Sequence, residues 1–363
     1  MSKEGMNYAP SGKSKPVCKP GDFLFSVIGL DHGHIYGMTN GLLEAGGQIN
    51  YVFDPDEKKV ADFVKRFPKA VAVKDERYLL DDKESLMVAG ACIPGDRCAL
   101  GMRVMSAGKH YFTDKAPLTT LEQLDAAKQK VIETGKKYMV YYSERLHVEG
   151  AVFAGQLIDD GAIGKVVQVI GLGPHRIDIP KRPDWFFIKE RYGGILCDIG
   201  SHQIEQYLYY AKEDDAEVVS SQIGNFNNPK YPELNDFGDA HLRGKNGTTN
   251  YFRVDWFTPN ALKTWGDGRT IILGTNGYIE IRKYTDIGIR NGGDNVYLVN
   301  DRIEKRYKVG GKVGFPFFGQ LITDILNGTE KAMTQAHAFK AVELSIKAQN
   351  QAVTIYNKKD ATH

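Results

Sequence analysis

Short apolar runs alternate with amphipathic stretches over the first 145 residues of the chain. This alternation is typical of a parallel sheet whose strands are joined by crossover helices. Thr120 suits the N-cap of one such helix, because its hydroxyl can accept from a free backbone N–H group. The pattern predicts strands over 23–28, 49–53, 86–93, 110–113 and 138–142, with helices ending near 45 and spanning 57–67, 97–107 and 120–134. The first half is therefore predicted to be an α/β domain of the Rossmann, dinucleotide-binding type.

The pattern changes after about residue 145. A helix over 148–159 and a strand over 165–171 precede irregular chain to Gly194, and a second helix covers 198–210. Strand-like runs then follow one another without intervening helices, over 218–225, 239–243, 248–257, 270–274, 278–282 and 295–299, before two closing helices over 317–326 and 337–356. Successive strands of this kind predict an α+β second domain with a large open, mostly antiparallel sheet.

A chain of 363 residues exceeds the length at which one core usually stops growing, so we expect two domains. Residues 1–21 contain Pro10, Pro16 and Pro20 and are predicted to form an extended arm, either a disordered tail or a strap onto a neighbouring subunit. Residues 22–145 form the predicted dinucleotide-binding domain. Residues 146–363 form the predicted substrate-binding and oligomerisation domain, with the last helices able to pack back on the first domain.

Composition narrows the classes of partner. The formal net charge is +2 with scattered basic residues, which is unlike a nucleic-acid-binding surface. No apolar run approaches the roughly 18 residues that a membrane span needs, and the N-terminus lacks the apolar core of an export signal. The four cysteines are widely spaced and fit neither a zinc pattern nor a disulfide framework. We expect a cytoplasmic protein that binds no nucleic acid, membrane or metal.

The turn after the first strand reads Gly29, Leu30, Asp31, His32, Gly33, His34. A dinucleotide fingerprint places small residues here so that backbone N–H groups can approach the pyrophosphate. Only Gly29 is in register, because Asp31 and His34 occupy the other two glycine positions. By itself this turn also fits a helix N-cap supplied by Asp31.

Asp54 ends the second predicted strand, 25 positions after Gly29. A carboxylate there can accept from both ribose hydroxyls of adenosine and would repel a 2′-phosphate. No arginine follows it directly, which favours NAD over NADP as the cofactor. The alternative is a solvated aspartate that opens the turn before Pro55.

Three longer segments resemble the glucose–fructose oxidoreductase/inositol dehydrogenase/MocA (Gfo/Idh/MocA) family. They are ACIPGDRC at 91–98, AGKHYFTDKAP at 107–117 and GGILCDIGSH at 193–202, in the order and spacing that the family shows. The similarity covers roughly residues 22–355. It implies a nicotinamide-dependent oxidoreductase, with Ile93, Pro94 and Lys115 beside the cofactor. The departures are Asp31 and His34 in the fingerprint, Asp114 for the family's glutamate, and Ala116 between the lysine and the proline.

The residues themselves support this chemistry. Asp198 and His202 are four positions apart, so on a helix they share one face with Cβ atoms about 5–6 Å apart. A carboxylate beside an imidazole can hold its tautomer and stabilise its charged form. Lys115 follows a strand end, where open α/β sheets bind ligands, and its ammonium could favour a developing alkoxide. We expect His202 to accept the hydroxyl proton, Asp198 to orient it and Lys115 to stabilise the same oxygen, although Lys115 is an alternative acceptor.

Several further residues are candidates for contact with a sugar-like substrate, since sugar sites combine aromatic faces with a few placed polar groups. Each has a packing role as its alternative. Two follow the last strand of the first domain and are expected to line the cleft, and the others lie after the strand over 165–171 or before the 198–210 helix. They are Arg145, His147, His175, Arg176, Trp185 and Tyr192.

The expected function is hydride transfer from a secondary hydroxyl of a sugar, glycoside or cyclitol to nicotinamide. One alternative is a redox-neutral enzyme with resident NAD, in which oxidation activates a bond for elimination and the hydride returns. Another is a non-catalytic NAD/sugar sensor, which intact Lys115, Asp198 and His202 disfavour. A metal hydrolase using His175, Asp198 and His202 fits in ligand type, but no cysteine or glutamate-rich cluster supports it. The strand over 248–257, with Phe252, Val254, Trp256 and their alternates, would leave a broad sheet face, which predicts a homodimer or homotetramer.

Overall fold

The computed structural model describes residues 5, 8–11, 14–290 and 292–357. The remaining positions of the predicted N-terminal arm, and those of the C-terminal domain beyond 357, lie outside the described residues. The chain divides into two compact units. The first comprises Met6–Tyr141 and Gly314–Phe339, and the second comprises Met1–Gly5, Tyr142–Val313 and Lys340–His363. Among the described residues, no helix combines the length and apolar character needed to cross a membrane.

The first unit is built on a six-stranded parallel sheet in the order β3-β2-β1-β4-β5-β6. This order, with its reversal between β1 and β4, is that of a Rossmann domain. Its elements are β1 (Leu24–Ile28), α1 (His34–Glu44), β2 (Gln48–Phe53), α2 (Glu57–Arg66), β3 (Val71–Ala72), α3 (Arg77–Asp81), β4 (Ser85–Gly90), α4 (Arg97–Ser106), β5 (His110–Asp114), α5 (Leu121–Thr134) and β6 (Tyr138–Tyr141).

The predicted elements of this unit are present, and Thr120 caps α5 by accepting from the N–H of Gln123. The central strand β1 is buried from its second residue onward, as expected of a parallel strand covered on both faces. Sequence patterning missed β3 and α3. Both residues of β3 are exposed and only Leu79 of α3 is buried, so neither element carries a hydrophobic period.

The second unit contains a nine-stranded mixed sheet in the order β14-β13-β12-β11-β7-β10-β9-β8-β15. The elements that follow β6 in the chain are α6 (Ser143–Leu146), α7 (Glu149–Asp159), β7 (Val166–Pro174), α8 (Lys189–Tyr192), α9 (Ile195–Asp198), α10 (Gly200–Ala211), β8 (Ala216–Asn225), β9 (Phe237–Gly244), β10 (Thr249–Asp255), β11 (Arg269–Gly274), β12 (Gly277–Arg282), β13 (Asn295–Asn300), β14 (Glu304–Lys308), α11 (Pro316–Asn327), α12 (Gln335–Gln351) and β15 (Val353–Asn357).

Most neighbouring strands of this sheet are antiparallel, as predicted, but β10 pairs with β7 and β15 pairs with β8 in parallel. The predicted closing helix over 337–356 is wrong at its end. Helix α12 stops at Gln351, and β15 then extends the sheet with Val353 opposite Gln222. Val353, Thr354 and Ile355 are β-branched and favour a strand, whereas the apolar spacing alone could not separate them from the preceding helix.

One face of the second sheet is covered by helix α10. Phe252, Val254 and Trp256 point to this side and are buried within the unit. A subunit contact through this sheet would therefore have to use the opposite face. Gly171 and Gly173 of β7 let Gln203 of α10 approach, since an added Cβ at either would lie within 2.8 Å of its side chain. The predicted helix over 198–210 is interrupted at Ile199, which separates α9 from α10.

Residues 14–17 of the N-terminal arm lie against the first unit. The N–H of Val17 donates to the carbonyl of Ala45 at 2.9 Å, and the hydroxyl of Ser14 donates to the carbonyl of Phe315. Helix α11 packs on α1, where Gly41 faces the ring of Phe318.

Candidate active-site residues

The turn after β1 keeps one glycine of the dinucleotide fingerprint for a steric reason. Gly29 has φ +84°, and an added Cβ would lie 2.7 Å from Cβ of Cys92, which follows β4. A side chain is therefore excluded by both backbone conformation and space. Gly33, with φ −63°, is the N-cap residue of α1. No side-chain hydrogen bond caps this end of the helix.

Asp54 ties this turn to the end of β2. One carboxylate oxygen accepts from the N–H of Leu30 at 2.7 Å, and the other accepts from the N–H of Asp56 at 2.9 Å. Burial raises the pKa of Asp54, although these backbone donors oppose the rise. Asp54, Lys65 and Lys74 are among the residues that line a cavity of about 840 Å³. Its size is within the range that holds a cofactor fragment.

Asp31, which replaces the second glycine of the fingerprint, does not present a bare carboxylate. The ammonium of Lys59 in α2 lies 2.6 Å from its Oδ1. This pair neutralises a charge that would otherwise repel a pyrophosphate at the N-terminus of α1.

His32 and His34 converge on a single carboxylate at the end of β5. Their Nδ1 atoms lie 2.9 Å from Oδ2 and Oδ1 of Asp114, respectively. All three side chains are buried. Burial would raise the pKa of Asp114, but His34, His32 and Arg97 outweigh it and hold the pKa well below its usual range. Burial, aided by His34, lowers the pKa of His32 to about 3.

Lys115 directly follows this carboxylate and is itself buried. Its backbone is held by Arg97, whose guanidinium donates to the carbonyls of Lys115, Ala116 and Cys92. The Lys115–Ala116 peptide bond is cis. The loop through Ile93 and Pro94 and the Lys115 segment are thus joined by one buried arginine.

In the second unit, a buried ion pair stands among the predicted site residues. Nζ of Lys283 lies 2.7 Å from Oε2 of Glu144, and Nε2 of Gln203 donates to the same oxygen at 2.9 Å. Nε2 of His175 is 3.9 Å from Oε1 of Glu144. Burial raises the pKa of Glu144, but Lys283, His202 and His175 outweigh it and hold that pKa well below its usual range.

The imidazole of His202 is one of the groups that favour the ionised form of Glu144. It lies in the first turn of α10, buried, with its ring edge-on to Tyr142 at 6.2 Å between centroids. Asp198 is buried at the end of α9. Ile199, between α9 and α10, keeps right-handed helical dihedral angles (φ −97°, ψ −38°), so the chain stays close to helical geometry from Asp198 to His202.

His175 joins this group from the end of β7. Its Nδ1 lies 3.1 Å from the carbonyl oxygen of Gly173, and its ring contacts Trp256 and Trp265. An imidazole held at one nitrogen and packed on two indoles has a defined orientation, which suits recognition of a substrate hydroxyl.

Other predicted substrate residues have contacts of a different kind. Arg145 makes a buried bidentate pair with Glu205 and lies over the ring of Tyr209 at 3.9 Å. Arg176 donates to the carbonyls of Pro259 and Leu262. These contacts favour structural roles for both arginines.

The remaining candidates, Tyr192, Trp185 and His147, differ in burial and in their contacts. The hydroxyl of Tyr192 donates to the carbonyl of Glu233 and accepts from the N–H of Asn235, and the residue is fully buried. Trp185 is half-buried with its ring 5.9 Å from that of Phe186. His147 is buried at the end of α6.

Sequence reasoning missed Glu144, Lys283 and Gln203. Glu144 follows the last strand of the first domain, next to Arg145, so its position carried the same signal as its neighbour. Lys283 is a single lysine after β12, and 139 positions separate it from Glu144. A lone lysine at that distance gives no pattern from which the pairing could be predicted.

Two family profiles match the chain. The profile described as "Oxidoreductase family, NAD-binding Rossmann fold" matches residues 24–142, and the "GFO/IDH/MocA C-terminal domain" matches 152–280. The chain is also similar to a protein from Erwinia carotovora atroseptica SCRI1043, provisionally classed as an oxidoreductase. Identity is 50% over 92% of this chain and 99% of that one, with a TM-score of 0.89.

Curated relatives are more distant. Scyllo-inositol 2-dehydrogenase (NAD(+)) of Bacillus subtilis is 23% identical over 90% of this chain and 92% of its own length. D-xylose dehydrogenase of Paenarthrobacter nicotinovorans is 25% identical over 40% of this chain, and the match spans only 39% of that relative. Together with the two matching profiles, these similarities place the chain in the Gfo/Idh/MocA family of oxidoreductases, with an NAD-binding Rossmann domain at its N-terminal end.

Proposed function

We propose that this protein is an NAD-dependent dehydrogenase that oxidises a secondary hydroxyl of a sugar, glycoside or cyclitol. The observation that carries the proposal is the buried imidazole of His202 in the first turn of α10, edge-on to Tyr142, in the family's C-terminal domain. An imidazole can accept a proton from an alcohol. The relatives that act on xylose and inositol support a polyhydroxylated substrate.

The first unit supplies the cofactor part of the proposal. Gly29 has the positive φ of the fingerprint turn that precedes α1, and the charge of Asp31 is compensated by Lys59. Asp54 stands where the adenosine ribose binds in Rossmann domains, and its negative charge favours NAD over NADP. Nicotinamide supplies the hydride acceptor when the cofactor is bound.

The second unit supplies fixed polar groups for a polyol. His175, Lys283 and Gln203 surround the Glu144 carboxylate with defined geometry. Because these side chains are already held in place, they lose little conformational entropy when they bind a hydroxyl. The aromatic surroundings of His175 provide apolar contact for a ring C–H face.

The proposed step moves a hydride and a proton separately. With NAD bound, nicotinamide would accept the hydride released when the substrate C–H bond breaks, and His202 would take the O–H proton. The products are a ketone, NADH and a protonated imidazole, which then releases its proton to water. Lys115 stabilises the negative charge that develops on the same oxygen and is the alternative acceptor, and Asp198 orients the histidine.

The test is steady-state oxidation of a panel of aldoses, glycosides and inositols with NAD, followed by nicotinamide absorbance. A substrate deuterated at the oxidised carbon should slow the reaction if hydride transfer limits it. His202→Ala and Lys115→Met should each lower kcat by on the order of 10²–10⁴, as expected for a general base or one oxyanion donor. Their losses should not add, because both groups act on one atom.

A matched control is His241→Ala, which alters a half-buried histidine on β9. It should keep normal kcat. Near-normal turnover in His202→Ala would remove His202 as the base and leave Lys115, for which the pH–rate profile should move upward. Absence of oxidation across the panel, with nicotinamide still bound after dialysis, would instead favour a redox-neutral enzyme with resident cofactor.

A further inference from the structure

The first unit holds a second cluster of ligating side chains that the proposed oxidation does not use. His32 and His34 come from the turn after β1, and Asp114 comes from the end of β5. One ligating atom from each residue lies within 4.8 Å of the others, and all three side chains are buried. Among the described residues, no other group of His, Cys, Asp and Glu side chains meets this arrangement.

The spacing of the donor atoms fits coordination of one ion. Two ligand atoms bonded at about 2.1 Å to one ion are about 3.4 Å apart in a tetrahedral site and about 3 Å apart in an octahedral one. The two Nδ1–carboxylate separations in the cluster are both 2.9 Å. The imidazole rings are nearly perpendicular, with centroids 4.3 Å apart, so both nitrogens can approach one point beside the carboxylate without ring overlap.

A backbone donor next to His32 adds a second observation. The N–H of His34 points to Nδ1 of His32 at 3.4 Å. This contact favours the form of His32 that carries a lone pair on Nδ1. With a lone pair on Nδ1, His32 can coordinate an ion beside Oδ2 of Asp114, 2.9 Å away, whereas with a proton there it donates a hydrogen bond to that oxygen instead.

We propose that His32, His34 and Asp114 bind a divalent transition-metal ion of the zinc class through both Nδ1 atoms and the carboxylate. Two imidazoles and one carboxylate are a common set for zinc and for neighbouring first-row metals. Three protein ligands leave a coordination position for water or a ligand oxygen. The site lies in the turn that is also expected to approach the cofactor pyrophosphate, but none of its three side chains has a role in the proposed proton or hydride transfer.

Arg97 sets the expected strength of this site. Its Nη2 lies 3.4 Å from Oδ2 of Asp114, while its other nitrogens are closer to backbone carbonyls. A guanidinium this near opposes a dication. We therefore expect micromolar rather than nanomolar affinity, with binding that depends on both histidines.

The experiment is a Zn²⁺ titration of the full-length, chelator-treated protein against a fluorescent zinc chelator, with His32→Ala, His34→Ala and His241→Ala variants. His241 lies half-buried on β9, outside the cluster, and is the matched control. The wild type and His241→Ala should bind one ion per chain. His32→Ala and His34→Ala should each weaken Zn²⁺ binding by on the order of 100-fold. Circular dichroism and NAD titration of each variant report folding and the cofactor site separately.

A second readout uses the histidine side chains directly. In ¹⁵N spectra of the Zn²⁺-loaded wild type, the Nδ1 atoms of His32 and His34 should carry no proton and their Nε2 atoms should carry one. The proposal is overturned if folded wild type binds Zn²⁺ no better than the two cluster variants, or if both Nδ1 protons persist in excess Zn²⁺. In that case the two imidazoles only donate hydrogen bonds to Asp114.

Discussion

Glu144 and Lys283 form an ion pair that is withdrawn from solvent on both sides, with the lysine side chain fully buried. Such a pair adds little stability over a well-packed apolar pair, but removal of one partner leaves a buried charge uncompensated. The remaining contacts of Glu144 with Gln203 and His175 are oriented by this pair. The pair therefore orients neighbouring polar side chains, although it adds little to the free energy of unfolding.

The first prediction concerns this pair. Glu144→Gln should lower the free energy of unfolding by about 3–5 kcal/mol, because Lys283 is left buried without its counter-charge. The double variant Glu144→Gln/Lys283→Met should recover much of that loss. Urea unfolding followed by circular dichroism measures both. The control is Glu217→Gln, which breaks the exposed pair with Arg243 and should cost less than about 1 kcal/mol. Equal losses in the single and double variants would contradict the argument.

A second prediction at this scale concerns Asp54 and the choice of cofactor. Asp54→Asn keeps an acceptor for the N–H of Leu30 but removes the charge that would repel a 2′-phosphate. The ratio of NADP to NAD affinity should rise by on the order of tenfold, helped by Lys65 and Lys74 along the neighbouring cavity. Cofactor titration by protein fluorescence gives the ratio. Unmodified protein that binds NADP as tightly as NAD would refute the assignment.

At the scale of elements, the connection between β5 and β6 depends on a histidine that must stay neutral. Nδ1 of His110, at the start of β5, accepts from the N–H of Lys137 just before β6 at 3.0 Å. Burial, with Lys136 and Lys137 nearby, lowers the pKa of His110 to about 4. Protonation would replace this acceptor with a second donor, so the contact holds the strands only while the ring is uncharged.

The third prediction is that His110 makes the protein less stable in mild acid. Its pKa is lower in the folded chain than the value of about 6.5 expected when unfolded, so the unfolded state takes up the proton first. Its contribution is present above pH 6.5 and is lost as the pH falls towards 4. Between pH 7.5 and 5 the loss should be on the order of 2 kcal/mol. His110→Asn keeps an acceptor and should remove that part of the pH dependence in urea unfolding. An unchanged slope would contradict it.

At the scale of the whole molecule, the second sheet has one face that its own helices do not cover. Alternation places Phe252 and Val254 inward, and leaves Tyr251, Leu273 and Tyr278 exposed on the opposite side. Register puts Ile271 opposite Ile170, and Tyr251 pairs with the same residue. The result is a continuous row of apolar side chains across three strands, which isolated proteins seldom expose.

The fourth prediction is that this face joins copies of the chain into a homodimer or homotetramer. Ile271→Lys/Leu273→Lys should dissociate the oligomer, because burying two lysines without partners is unfavourable. Light scattering after gel filtration measures the mass. Ile132→Lys, an exposed position in the first unit, is the control and should not alter it. A monomeric wild type at micromolar concentration would contradict the predicted oligomer.

Much of the architecture could be predicted from local pattern. Alternating apolar runs and helical periods indicated the Rossmann domain, and unbroken strands indicated the second sheet, because backbone preference and side-chain period act over a few residues. The same reasoning failed at β15, where β-branched residues directly follow a long helix without a turn signal. It also produced one helix where α9 and α10 are separated at Ile199.

The sequence by itself determined the family, through three motifs, and from the same motifs it predicts Lys115, Asp198 and His202 as site residues. It also marked Asp54 through its distance from Gly29. Only the tertiary structure decided which side chains meet: His34 lies beside Asp114 across 80 positions, and Glu144 lies beside Lys283 across 139. The physical reason is that strand order and register bring these residues together, whereas each one alone, a single histidine or lysine after a strand, has no local feature that specifies its partner.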